Sequence, residues 1–373
     1  MSISKIFVKL PNWVGDCVMA TPALDYLRKA FPSATIIAMG RPSVVDIMIG
    51  HDSISELLPA DDRKISDDLL QRLKRESFDL AVIFPNSWRS AWLPFRLGIP
   101  QRVGYARGLR SVLLNGAVPY DKRRWQTPTP KPLSKKSIAG NPNIVQPGHM
   151  VEYYLQLAVA AVAAFSQDSP PAPVREQVAL SLPVKKESIS QVASLLVSEN
   201  LDGMRLAAVN PGAAYGNAKR WPLDRLAVVA DSLAAQGYAV VSTASKFETE
   251  LNMQLTRHAK CEIHCLGEKL DLPGLVALLD RVELLVTNDS GAMHIAAARA
   301  VPTVALFGPT DWNVTRPWQE AAIVLRQSPP CAPCFLRECP IDHPCMRDLQ
   351  PDAVIEAAAQ VVDMPNSAKK ELR

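Results

Sequence analysis

At 373 residues, with 48% hydrophobic and 21% charged residues, the chain has the composition of a folded globular protein and is long enough for two α/β domains. No apolar run reaches the roughly 18 residues of a membrane span, and we expect no signal peptide, which favours a cytoplasmic protein. The net charge of +4 is too small to indicate a nucleic-acid partner.

In the first half, short apolar runs alternate with helix-like stretches, and residues 118–148, rich in Pro, Lys, Thr and Ser, are predicted to form a mobile loop. The alternation predicts a parallel sheet with right-handed crossovers. The predicted strands are 6–10, 35–39 and 80–84, and the predicted helices are 22–30, 66–76 and 152–165.

A stretch rich in Pro and Ser, 166–173, indicates a domain boundary, after which the strand and helix pattern restarts. We therefore predict an N-terminal domain over 1–175, a second domain over 176–350, and a C-terminal helix and tail over 351–373. Both domains are doubly wound α/β sheets, and ligands are expected in a cleft between the carboxyl ends of their strands. The strands of the second half are predicted at 206–209, 239–243, 284–287 and 303–307, with helices beginning near Pro222, Phe247, Leu272 and Gly291.

The loop after the first predicted strand contains a candidate catalytic acid. A dinucleotide-binding turn needs three spaced glycines, whereas only Gly15 is present here, so a dehydrogenase is disfavoured. Gly15 permits a tight turn that leaves Asp16 near the cleft, where a carboxylate can accept a proton from a substrate hydroxyl. The alternative is that Asp16 only caps the next helix, since Asp is a favoured N-cap residue.

The loop 210–222 is a candidate diphosphate site. Gly212 and Gly216 make it flexible, so its backbone amides can point at an anion, and Lys219 and Arg220 add positive charge. The alternative is a solvated basic turn in front of a helix that begins with proline.

The segment 287–294 runs from a predicted strand into a helix. Asp289 or Ser290 can cap that helix, whose N-terminal amides attract phosphate, and His294 lies one turn further on. A histidine in such a position is more often a structural hydrogen-bonding residue than a catalyst. Glu248, beyond the preceding strand, can accept paired hydrogen bonds from ribose hydroxyls, and the alternative is a solvated side chain.

Positive charge is concentrated in residues 89–136, where eleven basic residues accompany a single acid, Asp121. Such a region can contact an anionic partner or a membrane surface, and the alternative is a set of scattered solvated side chains. The basic residues are Arg89, Arg96, Arg102, Arg107, Arg110, Lys122, Arg123, Arg124, Lys131, Lys135 and Lys136.

Seven unevenly spread cysteines do not form a disulfide framework. Four lie close together near the C-terminus, and two of them have the C-x-x-C spacing that permits a structural zinc. Their spacing is short for a zinc ribbon, so we favour free thiols over zinc and over two disulfides, and we expect no metal. The four are Cys331, Cys334, Cys339 and Cys345.

Several motifs, in this order and spacing, resemble those of the lipopolysaccharide heptosyltransferases, glycosyltransferase family 9, and are most similar to the heptosyltransferase II branch. The resemblance covers about residues 5–360 and implies a GT-B type glycosyltransferase, in which two Rossmann-like domains face each other across a cleft and the second holds most of the donor. The motifs are Pro11–Leu24, Phe84–Ser87, Asn210–Gly212 with Ala218–Pro222, and Thr287–His294 with Leu306–Thr310.

The resemblance also implies roles for individual residues. The family's catalytic base falls on Asp16, and the lysine of its Lys-x-Trp-Pro motif falls on Lys219, which acts on the donor diphosphate. The implied donor-binding residues are Gly15, Asn210, Gly212, Lys219, Glu248, Asp289, Ser290, Gly291 and His294. The predicted acceptor-binding residues are Asn86, Arg89, Arg107 and Arg110.

The implied reaction transfers heptose from ADP-heptose to the inner core of lipopolysaccharide with inversion, without cofactor or metal. The lipid-linked acceptor implies peripheral contact with the inner face of the cytoplasmic membrane. Ala214 and Tyr215 stand where some relatives carry hydroxyl residues, so phosphate contacts there are expected from backbone amides or the tyrosine hydroxyl. The alternatives are a non-catalytic nucleotide-sugar-binding protein and a nucleotide-sugar epimerase of the same architecture.

Overall fold

The computed structural model describes residues 3–61, 65–120, 148–166 and 170–365. The described residues up to Pro183 form one compact unit, and those from Val184 onward form a second. Each unit is built on its own six-stranded parallel sheet. Within the described ranges, no helix is long and apolar enough to cross a lipid bilayer.

The sheet of the first unit consists of β1 Lys5–Lys9, β2 Thr35–Gly40, β3 Glu56–Pro59, β4 Leu80–Ile83, β5 Gln101–Ala106 and β6 Gly116–Pro119. Its helices are α1 Val14–Met19, α2 Thr21–Ala30, α3 Pro42–Met48, α4 Asp67–Arg75, α5 Trp88–Arg96 and α6 Met150–Phe165, and a 3-10 helix, Gly108–Leu113, follows β5. The strand order β3-β2-β1-β4-β5-β6 is that of a Rossmann fold, in which the winding direction reverses between β1 and β4.

The sheet of the second unit consists of β7 Leu206–Asn210, β8 Ala239–Ser242, β9 Ile263–His264, β10 Leu284–Asn288, β11 Thr303–Phe307 and β12 Ala322–Arg326. Its helices are α7 Lys186–Ser198, α8 Leu223–Ala235, α9 Thr249–His258, α10 Leu272–Leu279, α11 Gly291–Ala298, α12 Trp312–Thr315, α13 Pro344–Arg347 and α14 Pro351–Val362. The order β12-β11-β10-β7-β8-β9 repeats the Rossmann topology, with the reversal between β7 and β10.

The central strands and the helix starts follow directly from the sequence. The buried parallel strands are continuous apolar runs rather than alternating ones, because helices cover both faces of the sheet. The hydroxyl of Ser66 accepts the N–H of Leu69 at the start of α4, and His149 and Glu152 form a capping box at the start of α6. All seven predicted strands are present, within one residue at each end.

The unit boundary lies after Pro183 rather than after residue 175. The segment beyond residue 175 stays with the first unit because the backbone N–H of Ser181 donates to Thr21 at 3.0 Å and its hydroxyl donates to Asp25 at 2.8 Å. The predicted C-terminal helix is α14, whose buried Val354 and Ala357 pack into the core of the second unit.

Some predictions lie outside the described residues. They concern the loop 118–148 apart from its ends, part of the stretch 166–173, and the tail beyond residue 365. Six basic residues of the charged region also lie there, namely Lys122, Arg123, Arg124, Lys131, Lys135 and Lys136.

Candidate functional site

Two loops of the first unit leave the sheet side by side where its winding reverses. β1 and β4 are paired, with Lys9 opposite Ile83, so the segments that follow their carboxyl ends are neighbours. One segment leads into α1, and the other is the Phe84–Ser87 motif. Ligands of open α/β sheets bind at such reversal points, which makes this edge the candidate site of the first unit.

Asp16 is an oriented, half-buried carboxylate. Its Oδ1 accepts a hydrogen bond of 2.9 Å from the hydroxyl of Tyr154 in α6. Burial, and then the negative charge of Asp16, raise the pKa of the Tyr154 hydroxyl well above its usual value, so Tyr154 stays protonated and donates at neutral pH. The interpretation of Asp16 as an N-cap is wrong, because the N-cap of α1 is Trp13. Gly15 likewise lies inside the first turn of α1, not in a turn that precedes it.

Asn86 and Arg110 come together beside Tyr153. Asn86 donates to the Tyr153 hydroxyl at 2.6 Å, and Arg110 donates to the carbonyl of Pro85. Arg110 is only 1% exposed, and Gly104 makes room for it, since a Cβ there would lie 2.4 Å from Nη2. Burial lowers the pKa of Arg110 to about 10, which leaves it charged at neutral pH. Its Nε and Nη2, and Oδ1 of Asn86, have no hydrogen-bond partner in the described part of the chain.

The other two predicted acceptor residues are exposed. Arg107 lies with its guanidinium 5.3 Å from the ring centroid of Tyr120, and its charge contributes to the lowered pKa of Arg110. Arg89 lies in the first turn of α5. The structure thus brings Asn86, Arg107 and Arg110 into one neighbourhood, while no hydrogen bond among the described residues joins Arg89 to them.

In the second unit, the buried side chain of Asn288 joins the two loops of the predicted phosphate site. Its Nδ2 donates to the carbonyls of Asn210, Pro211 and Gly212 at 3.1 to 3.3 Å, and its Oδ1 accepts the N–H of Trp221 at 3.0 Å. Sequence reasoning missed this residue because its partners are 67 to 78 residues away in the chain. An asparagine side chain by itself does not indicate a structural or a catalytic role.

Asn210 connects the loop 210–222, called the phosphate loop from here on, to the start of α11. Its Nδ2 donates to the hydroxyls of Ser290 at 2.8 Å and Thr287 at 3.1 Å, and its Oδ1 accepts the N–H of Gly212. Ser290 occupies the N-cap position of α11, but its side chain makes no capping bond. The first-turn amides, beginning with Gly291, therefore lack a side-chain cap, and an uncapped helix N-terminus attracts anions.

Lys219 and Asp289 form a nearly buried ion pair. The Nζ atom of Lys219 lies 2.5 Å from Oδ2 of Asp289, and the hydroxyl of Thr310 donates to the same oxygen at 2.7 Å. The pair positions the ammonium group but also compensates its charge. A bound diphosphate would therefore compete with Asp289 for Lys219.

Glu248 lies against the phosphate loop, so the alternative of a solvated side chain does not hold. Its Oε2 accepts the N–H and the hydroxyl of Ser245 in a capping box. A Cβ on Gly212 would lie 2.1 Å from Oε1 of Glu248, so a larger residue at this position would displace the Glu248 carboxylate. In the portion of the chain that is described, Oε1 accepts no hydrogen bond, which leaves it available to a ligand hydroxyl.

His294 is a buried neutral imidazole. Burial lowers its pKa to about 4, Asp289 opposes this shift, and the charge of Lys219 reinforces it. Its Nδ1 finds no hydrogen-bond partner among the residues that the structure describes. His294 therefore acts at neutral pH as an uncharged donor or acceptor, not as a cation.

The low pKa of His294 predicts a loss of stability in mild acid. Below pH 6.5 the unfolded chain binds a proton here while the folded protein does not until about pH 4, so the free energy of unfolding falls by up to about 3 kcal/mol over this interval. Above pH 6.5 both states are neutral, and the contribution vanishes. Urea unfolding at about pH 7 and about pH 5 should show a smaller loss in His294→Gln than in the parent. If the parent and His294→Gln lose equal unfolding free energy between these pH values, His294 does not have a lowered pKa.

Tyr215 departs from the expected role of a phosphate ligand, because its hydroxyl donates to the carbonyl of Phe335 at 2.7 Å. Two cations lie against its ring, with Nζ of Lys219 at 5.0 Å and the guanidinium of Arg337 at 5.3 Å from the centroid. The carbonyl of Arg337 also accepts the N–H of Ala218 at 2.9 Å. Sequence reasoning missed Arg337, which reaches the phosphate loop from a distant segment.

The segment around Arg337 carries the four clustered cysteines, and all four are free thiols. Burial raises the pKa of Cys345 to about 11 and also raises that of Cys331, with further contributions from the neighbouring thiols. The four thiols therefore lie near one another, and Cys331 and Cys345 stay protonated at neutral pH. No group of three or more His, Cys, Asp or Glu side chains in the described ranges is arranged to hold a metal ion.

The sequence and the fold resemble those of known proteins. The sequence matches glycosyltransferase family 9 (heptosyltransferase) over residues 67–129 and 137–344, more than half of the chain. The chain belongs to glycosyltransferase family 9. It is therefore a glycosyltransferase, and the resemblance inferred from the motifs is confirmed.

Individual relatives from family 9 align with this sequence over most of its length. The lipooligosaccharide heptosyltransferase 2 of Campylobacter jejuni is 28% identical over 96% of this chain and 98% of its own length. The lipopolysaccharide heptosyltransferase 2 of Escherichia coli K12 is 31% identical over 86% of this chain and 88% of its own. The solved structure of the E. coli ADP-heptose lps heptosyltransferase II has a TM-score of 0.76 and 28% identity, covering 96% of this chain and 98% of that one. The predicted GT-B type α/β fold with two Rossmann-like domains is thus confirmed, and neither the binding-protein nor the epimerase alternative is favoured.

Proposed function

We propose that this family 9 glycosyltransferase transfers heptose from ADP-heptose to the inner core of lipopolysaccharide, with inversion at the anomeric carbon. The names of its relatives support these substrates. The observation in this chain that carries the proposal is the Asp16 carboxylate, which Tyr154 orients at the reversal point of the first sheet. A protein that only binds a nucleotide sugar has no need of such a base.

The mechanism follows from the charges of the site residues. The acceptor hydroxyl attacks the anomeric carbon, the bond from that carbon to the phosphate oxygen breaks, and ADP leaves with the electron pair. Asp16 takes the proton of the hydroxyl, an effect typically worth ~10² to 10⁴ in rate. Lys219 and the uncapped amides of α11 stabilise the charge that grows on the diphosphate. Glu248 binds the ribose hydroxyls through its available oxygen.

On the acceptor side, we propose that Asn86, Arg89, Arg107 and Arg110 bind the anionic groups of the inner core. Arg110 supports this role because its buried guanidinium has two unpartnered nitrogens in the described structure, and a guanidinium pairs well with carboxylate or phosphate. The enzyme would act in the cytoplasm, at the inner face of the cytoplasmic membrane, without a nucleic-acid partner.

We also propose that the reaction requires neither a cofactor nor a resident metal. The argument is electrostatic, since Lys219 and the amides of α11 supply positive charge where the leaving diphosphate develops negative charge. Activity measured with and without a chelator tests this point.

The test of the function is an assay of the purified protein with ADP-heptose and lipopolysaccharide truncated at successive core positions. We expect one acceptor to gain the mass of one heptosyl residue, heptose less water, with ADP released in equal amount. Consumption or isomerisation of the donor without acceptor would indicate an epimerase. Binding without any turnover would indicate a nucleotide-sugar-binding protein, and either result would overturn the proposal.

A further inference from the structure

Helix α5 exposes three aromatic side chains on one face. Trp88, Trp92 and Phe95 are each 43% to 45% exposed, whereas Leu93 and Pro94 on the opposite face are buried. The three aromatic positions are separated by four and three residues, so they form a single stripe along the helix. The rings of Trp92 and Phe95 stack with their centroids 5.6 Å apart.

Two further exposed apolar side chains lie on the adjacent 3-10 helix, Gly108–Leu113, which packs beside α5. Leu109 is 83% exposed and Val112 is 74% exposed. Single exposed apolar residues are normal on a protein surface, but five large ones on two neighbouring elements indicate a candidate interaction site. We call Trp88, Trp92, Phe95, Leu109 and Val112 the apolar ridge.

Arginines border the apolar ridge. At about 100° per residue, Arg89 and Arg96 lie together on one side of the aromatic stripe, roughly 80° to 100° from Trp88. Both are exposed. A stripe of Trp and Phe flanked by Arg fits the boundary of an anionic bilayer, where the rings enter the headgroup region and the guanidinium groups meet lipid phosphates.

The position of the ridge fits a lipid-linked acceptor. Helix α5 begins two residues after Asn86, and the 3-10 helix that turns Leu109 and Val112 outward turns Arg110 inward, beside Asn86. A bilayer that contacts the ridge would therefore present headgroup-linked sugars next to the proposed acceptor residues.

We propose that the apolar ridge and its flanking Arg89 and Arg96 dock this enzyme on an anionic lipid bilayer. The inference rests on the proposed function only in that the acceptor is lipid-linked, because vesicle binding can be measured without acceptor or donor. It adds an apolar anchor to the charge-based membrane contact inferred from sequence. A hydrophobic anchor resists high salt, whereas purely electrostatic attachment does not.

The experiment is co-sedimentation of the full chain with vesicles of phosphatidylethanolamine and phosphatidylglycerol, and with vesicles of phosphatidylcholine alone. The parent is expected to bind the anionic vesicles more strongly, and the double variant Trp92→Ala with Phe95→Ala is expected to bind them about 10-fold or more weakly. A matched control is Val197→Ala with Met253→Ala, which truncates exposed apolar side chains of the second unit. Exchanging Trp92 and Phe95 for each other should preserve binding.

Two results would overturn the inference. One is equal vesicle binding by the parent and the Trp92→Ala, Phe95→Ala variant at equal melting temperature. The other is self-association of the parent that this variant abolishes, without vesicle binding, which would make the ridge an interface between two copies of the chain. On a deacylated, water-soluble acceptor the variant should keep the parent's rate, and it should be slower only on acceptor embedded in vesicles. If the parent transfers heptose to neither acceptor, the proposed function is refuted. Vesicle binding would still test the apolar ridge, because it is measured without donor or acceptor.

Discussion

The Asp16→Asn variant is expected to transfer heptose ~100-fold or more slowly than the parent while it binds ADP with nearly unchanged affinity. Asparagine has the same shape and can still accept the hydrogen bond from Tyr154, but it cannot take a proton from the acceptor. Asp16 is not the N-cap of α1, so the change removes no capping bond and costs a helix-dipole contribution of about 0.5 kcal/mol. ADP affinity should persist because Lys219 and Asp289 belong to the second unit.

The matched control is Asp46→Asn, which removes an exposed carboxylate from α3 of the same unit. Initial rates of ADP release, ADP titration calorimetry and thermal melting separate catalysis, donor binding and folding. Tyr154→Phe should lose less activity than Asp16→Asn, since it removes the positioning hydrogen bond and leaves the base. If Asp16→Asn melts like the parent and transfers heptose at a similar rate, Asp16 is not the base.

The Lys219→Ala variant is expected to bind ADP ~10- to 100-fold more weakly, because a charge-assisted contact to the diphosphate is lost. We expect kcat to fall further, by ~10² or more, since the same ammonium group meets the charge that develops on the leaving phosphate in the transition state. The variant also leaves the Asp289 carboxylate nearly buried without its ion-pair partner. A lower melting temperature is therefore part of the expected result.

Lys269→Ala is the control for this variant, because it removes an exposed lysine that pairs with Glu199 in the same unit. Adenosine binding distinguishes the two effects of Lys219→Ala. A lost phosphate contact weakens ADP binding but not adenosine binding, whereas a distorted site weakens both. Unchanged donor KM and kcat in Lys219→Ala would remove Lys219 from the mechanism.

The sequence alone identified the central strands and the loops that follow them. A parallel strand covered on both faces is apolar along most of its length, so β1, β4, β7 and β10 are visible as short hydrophobic runs. Because ligands bind at the carboxyl ends of such strands, the same pattern located the candidate residues. The strands that it did not reveal lie at the sheet edges or expose part of their length: β3, β5, β6, β9 and β12.

Only the tertiary structure decided which partner each candidate side chain contacts. Asp16 lies inside α1 rather than at its N-cap, and Tyr154, 138 residues away, donates a hydrogen bond to its carboxylate. Glu248 lies against Gly212 of the loop 210–222, which is distant from it in the chain. These pairings are made between residues far apart in the chain, and their energies depend on burial and on distances of about 3 Å that the fold creates. Local sequence patterns depend on backbone preference and apolar periodicity. They therefore locate a loop, but they do not identify the residues that its side chains contact.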